Sequence, residues 1–178
     1  MQQVLNNRAP GVIADLENRF ILMGHSGAGQ ITTEFLNSSC SNVKLQILLD
    51  PVDGVDLFGM KKSYVITPGK MLPYATPVLV IASELDNSKK DLLPACAANN
   101  VSNLRFYDAM SGPKWFLNIS KYGHCDFFNN EYRDVFGVNC ATCHKDCVYN
   151  DYRTTVKEAI LSFIDAILYK SDLALSIV

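Results

Sequence analysis

The chain has 178 residues, of which 48% are apolar and 19% charged, against an ordinary charged share of about 25%. That length and composition fit one globular domain with a single core, and they exclude a disordered chain, a collagen-like fibre and a heptad coil. The 16 basic and 18 acidic side chains leave a net charge of −2, without the basic excess that a nucleic-acid groove requires. No apolar run reaches the roughly 18 residues of a membrane span. The nearest candidate, residues 159–169, is broken by Ser162 and Asp165.

Taken in chain order, residues 1–9 are polar and carry no apolar signal-peptide core. Phe20, Ile21, Leu22 and Met23 then form a continuous apolar run ended by Gly24, the pattern of a strand buried on both faces of a parallel sheet. Residues 28–36 read as a helix with Ile31, Phe35 and Leu36 on one side. Residues 45–49 are a second strand, interrupted only by Gln46, and residues 78–82 a third after Pro77. Between those two strands, residues 52–76 hold glycines and prolines without periodicity, which marks a functional loop. Ser102 is placed to cap a helix carrying Leu104, Phe106, Tyr107 and Met110. Residues 115–119 are a fourth, half-alternating strand. The last helix carries Val156, Ala159, Ile160, Phe163, Ile164 and Ile167 as one stripe, with Thr155 and Glu158 in a capping-box pattern. Strands alternating with helices define an α/β fold with a mostly parallel sheet.

The segment Gly24-His25-Ser26-Gly27-Ala28-Gly29 follows the first strand and opens the first helix. A serine at such a turn is lifted clear of the strand end, and small neighbours let the chain turn sharply around it. The amide of Gly27 then sits at a helix N-terminus, where it can face a developing oxyanion. Ala28 stands where the Gly-x-Ser-x-Gly pattern has its second glycine, and its methyl is expected to tighten the packing of helix on strand. A phosphate-binding loop shares the spacing from Gly24 to Gly29, but Gln30 and Ile31 stand where that motif needs Lys and Ser or Thr. A glycine-rich turn with a merely capping serine is the simpler reading.

The nucleophile reading predicts partners further along, in the order serine, acid, histidine. His25 adjoins Ser26 and is expected to point into the pocket wall, and His144 lies within a cysteine cluster. His124, in a loop after the fourth strand, is therefore the candidate base. Two acids compete to orient it: Asp50 ends the second strand, and Asp86 follows the third. A carboxylate at either place can stabilise the imidazolium, and spacing does not choose between them.

Gly24-His25-Ser26-Gly27-Ala28-Gly29, Leu49-Asp50-Pro51-Val52-Asp53-Gly54, Pro94-Ala95-Cys96-Ala97, Arg105-Phe106-Tyr107 and Tyr122-Gly123-His124-Cys125-Asp126 occur in the order seen in chlorophyllases and chlorophyllase-like α/β-hydrolases. The resemblance runs over residues 20–168. Gly27 departs from it, standing where the family carries a bulky basic residue. The resemblance implies ester hydrolysis, with chlorophyll cleaved to chlorophyllide and phytol, or a similarly lipophilic ester as substrate. It puts the triad on Ser26, Asp50 and His124, with Asp86 and then Asp53 as the less favoured acids. It implies no cofactor and no metal. The apolar Val55, Leu57, Phe58 and Met60 are expected to line a pocket for the ester alcohol or to pack in the core.

In that fold several strands precede the serine, and a second oxyanion N–H comes from an upstream loop. Residues 1–178 are thus expected to be one domain forming the C-terminal portion of an α/β-hydrolase, with N-terminal strands missing and turnover weak in consequence. The competing readings are a non-catalytic binding module on the same scaffold and a small metal- or haem-binding domain. The last rests on Cys140, Cys143, His144 and Cys147, which contain the C-x-x-C-H pattern of haem attachment and can be counted as four zinc ligands. Four ligands within eight residues crowd a tetrahedral ion, so disulfides in a surface loop are the expectation. Six cysteines in all and three Asn-X-Ser sequons, at Asn37, Asn100 and Asn118, lean toward a secretory or extracellular compartment. The alternative is an intracellular or plastid protein with reduced thiols.

Overall fold

The computed structural model describes residues 20–38, 42–54 and 63–169. Four strands, β1 (Phe20–His25), β2 (Val43–Leu49), β3 (Val78–Ser83) and β4 (Lys114–Ile119), form one sheet in the order β1-β2-β3-β4. All three pairings are parallel, with Ile21 opposite Leu45, Ile47 opposite Leu79 and Val80 opposite Phe116. The four strands expected from apolar runs are all present. Their burial differs with position. Every residue of the inner strand β3 is buried, whereas the outer strand β1 is half-buried and leaves Met23 exposed, because it has a neighbour on one side only among the described residues.

Alternation along β3 divides the core. Val78 and Val80 face one side, where Leu36, Leu48, Phe106 and Met110 join them with Ile66, Leu72 and Tyr74 from the long β2–β3 connection. Leu79 and Ile81 face the other side, against Leu45, Ile47, Tyr152, Val156 and Phe163. Each such side chain, fully buried, contributes about 1.5–3 kcal/mol. The first layer is covered by helices α1 (Gly27–Ser38) and α2 (Leu104–Ala109). The second is covered by α4 (Tyr149–Ile164), which runs on through a π-helical turn at Asp165–Tyr169. A short α3 (Asn130–Phe136) lies between β4 and α4. No helix among the described residues is long and apolar enough to cross a membrane.

Three local readings are corrected. In α1 the buried side is Gly29, Gln30, Thr33 and Leu36, while Ile31 and Phe35 are exposed. The polar members are buried because they have partners: Gln46, inside β2, donates to the hydroxyls of Thr32 and Thr33. Ser102 does not cap α2. Its hydroxyl turns back to the carbonyls of Ala97 and Ala98, and Asn103 occupies the cap position. Nor do Thr155 and Glu158 begin α4, which starts at Tyr149; the Thr155 hydroxyl bonds the Asp151 carbonyl inside the helix.

Cys96 pairs with Cys140, and Cys143 with Cys147. Their sulfurs are bonded to each other rather than available to zinc or haem, and His144 is exposed. The disulfides are less superficial than expected, since Cys140 and Cys143 are buried. Cys125 is a buried free thiol. Cys40 and the four apolar residues Val55, Leu57, Phe58 and Met60 lie outside the described residues. Of the sequons, Asn37 runs into undescribed residues, while Asn100 and Asn118 are exposed.

Candidate active site

Ser26 stands between β1 and α1 with φ +55°, a left-handed conformation that a residue with a Cβ rarely adopts. The turn is held at that pitch by backbone bonds to the end of β2. The Ser26 N–H donates to the Leu49 carbonyl at 3.0 Å, and the Ser26 carbonyl accepts from Val52 at 3.0 Å. Two glycines permit the approach. A Cβ on Gly24 would stand 2.5 Å from the Ala28 carbonyl oxygen, and one on Gly29 would stand 2.6 Å from the Pro51 Cβ. Ala28 itself is exposed, so its methyl does not press on the strand as expected, and the departure from the glycine pattern carries no steric cost. Gly27 opens α1, and a first-turn N–H has no intrahelical partner.

Asp50 follows β2 and is fully buried, also in a left-handed conformation with φ +39°. Its N–H bonds the Ile81 carbonyl, and its Oδ1 accepts from the Ser83 N–H at 2.7 Å. Its other oxygen, Oδ2, faces Nδ1 of His124 at 3.7 Å. Neither of those two buried atoms has another hydrogen-bond partner. Burial pushes the Asp50 carboxyl well above its ordinary value, and the nearby charge of Asp86 adds to this. Burial raises Asp86 too, against hydrogen bonds from Asn103 and Asp50.

His124 is buried in the turn after β4. Desolvation, with the like charge of His25, lowers its pKa to about 3, so the ring is neutral near pH 7. Its turn is held from behind by Asp126, fully buried, whose Oδ2 accepts the N–H groups of Gly123 at 2.8 Å and Cys143 at 2.9 Å. Ser26, His25, His124, Cys125 and the Cys96–Cys140 disulfide line one open cleft of about 300 Å³.

His25 forms part of the cleft wall, as expected, and there it meets the candidate base. Its ring lies 4.7 Å from that of His124, and its Nε2 is 2.9 Å from the His124 carbonyl oxygen. The adjacency of His25 to Ser26 was the available clue, but only the fold brings residue 124 back to it. Asp53 is occupied elsewhere: it accepts N–H groups of Gly54, Val65 and Ile66 and pairs with Arg105 at 2.9 Å. It ties the β2–β3 connection to α2 and makes no contact with the cleft.

Among the described residues one set of side chains, His25, Asp50 and His124, brings three metal-capable atoms within 4.8 Å of one another. Of these side chains, His25 bonds the His124 carbonyl through its Nε2.

The parallel four-stranded sheet with its flanking helices and the serine turn after β1 form part of an α/β-hydrolase fold. The fold matches that of an α/β hydrolase enzyme from a Medee basin deep-sea metagenome library, with a TM-score of 0.52 at 15% identity, over 93% of this chain and 61% of that one. The sequence model of the Chlorophyllase family matches residues 1–178, and the chain belongs to that family. It is 29% identical to Chlorophyllase-2 of Arabidopsis thaliana, over 94% of this chain and 56% of that protein. With Chlorophyllase type 0 of Chenopodium album it shares 34% identity, over 72% of this chain and 38% of that protein. The chain thus spans about half the length of the curated relatives it matches.

Proposed function

We propose that the chain carries the acyl-transfer site of a carboxylic-ester hydrolase, with Ser26 as nucleophile, His124 as base and Asp50 as the acid that orients it. The observation that carries this reading is the meeting of Asp50 Oδ2 and His124 Nδ1, 3.7 Å apart and otherwise unpartnered, at the cleft that Ser26 shares. An Nδ1–H directed at Asp50 leaves Nε2 unprotonated, as a base requires. That nitrogen takes the Ser26 proton, the oxygen attacks the ester carbonyl, and the imidazolium returns the proton to the leaving alcohol. Water then attacks the acyl-enzyme by the same route and releases the acid. The new positive charge on His124 favours ionised Asp50 against the burial that raises its carboxyl. Gly27 N–H supplies one oxyanion donor.

Family membership supports a lipophilic ester, and chlorophyll in particular, as the substrate; the names of both relatives say chlorophyllase. The test is labelling of the chain with a fluorophosphonate, followed by hydrolysis of a short-chain nitrophenyl ester and of chlorophyll. Ser26→Ala is expected to abolish labelling, and His124→Gln and Asp50→Asn to slow it by about 10²–10⁴. Labelling that survives Ser26→Ala overturns the triad. Ester turnover without chlorophyllide release overturns the substrate alone.

A further inference from the structure

We propose that His25 is a positioning residue for His124: its Nε2–H, given to the His124 backbone carbonyl, keeps the base in register with the nucleophile. This rests on the triad reading above and deepens it. A carbonyl oxygen only accepts, so the His25 nitrogen at 2.9 Å must carry a hydrogen. His25 is therefore the Nε2–H tautomer, with Nδ1 bare. The bond joins residues 99 apart in sequence, yet one of them is the chain neighbour of Ser26. Any drift of the β4 loop away from the serine turn breaks it.

The ring is itself held. It packs edge-on to Phe128 at 5.0 Å and tilted against Phe127 at 5.4 Å, both from the loop that carries His124. The His25 and His124 rings lie side by side, tilted by 34° to each other. Among the described residues the titratable groups around His25 are His124, Asp50 and, across the cleft, Cys125. Burial lowers the pKa of His25, so it is neutral when His124 becomes an imidazolium. A charged His25 at that moment would oppose the step.

The experiment compares His25→Phe, which keeps a ring but loses the donor, with His25→Gln, whose amide nitrogen reaches the place of Nε2. Misplacement of a catalytic group by about 1 Å costs on the order of 10²-fold. His25→Phe is therefore expected to lower kcat by about 10–100-fold with KM nearly unchanged, and His25→Gln to recover most of it. Equal values for the two variants, whether both normal or both impaired, overturn the proposal. Should His25→Phe melt early, His25→Asn replaces it: its amide is too short, and activity equal to that of His25→Gln is the overturning result. Long-range ¹H–¹⁵N spectra of the histidine rings supply a readout that needs no turnover. An Nδ1–H tautomer at His25 overturns the positioning role. A wild-type chain that shows the Nε2–H tautomer but hydrolyses no ester refutes the esterase reading instead.

Discussion

The two halves of the site are held by different kinds of restraint. The serine turn is set mostly by near neighbours, with the adjacent end of β2 bonded to it through Leu49 and Val52: Gly24 lets the backbone of Ala28 approach, Gly29 bonds back to the Ser26 carbonyl at 2.9 Å, and β1 leads directly into it. The His124 turn has little of this. It is held through Asp126 to Cys143, through His25 to the serine turn, and through the Cys96–Cys140 disulfide that walls the cleft. A turn fixed by local geometry survives loosening elsewhere, whereas one fixed by distant anchors fails when any of them is cut. The two regions therefore respond to different substitutions.

The largest expected effect cuts the distant anchor. Replacing Cys96 and Cys140 together by serine opens a loop of 44 residues, and the chain-entropy model puts the loss near 4 kcal/mol. Urea unfolding measures it. The same arithmetic for Cys143 and Cys147, four residues apart, gives only about 2 kcal/mol. If the two removals cost the same, loop closure is not what these bonds contribute.

Gly24→Val attacks the local side. The Ala28 carbonyl in the way is backbone inside α1, so it cannot swing aside as a side chain would. A loss of about 3 kcal/mol is expected, at the upper end for overpacking, with fluorophosphonate labelling lost as well. A variant that folds and labels normally would show the serine turn to be looser than its contacts imply. Asp126→Ala comes next. It leaves the N–H groups of Gly123 and Cys143 without their acceptor, at about 2 kcal/mol. Because the serine turn is untouched, catalysis should fall further than the thermal midpoint suggests.

This division also explains what could be read from the chain alone. Four apolar runs sufficed to place β1 to β4, and a glycine-flanked serine after the first of them located the turn, since both signals lie within a few adjacent residues. The choice of acid could not be made that way: Asp50 and Asp86 end neighbouring strands, and which one meets His124 depends on the pitch of two loops. The α1 stripe was misjudged because Gln46 hides polar helix residues that hydropathy puts outside. Likewise the Thr155 and Glu158 pattern matched a cap inside a helix whose start is set at Tyr149, where the chain leaves the disulfide loop.

The smallest effect concerns pH and separates His124 from the carboxyls around it. His124 has its pKa lowered from 6.5 to about 3 by folding, so the unfolded chain binds its proton first as pH falls. Stability from this group is full above pH 6.5 and declines steadily down to about pH 3. Asp50, Asp86 and Asp126 are all raised by burial. They act in the opposite sense: their stabilisation is complete below their unfolded value near 3.8 and is lost as pH rises through the folded one. Between pH 7 and 5.5 the His124 contribution alone amounts to on the order of 1 kcal/mol. His124→Gln removes that contribution and leaves the carboxyls in place. Its stability should therefore rise relative to the parent as the solution is acidified from pH 7 to 5.5, measured by urea unfolding at each pH. Parallel curves for parent and variant would mean that the imidazole exchanges protons with solvent as freely in the folded chain as in the unfolded one, and the cleft would then be too wet for His124 to be held neutral by burial.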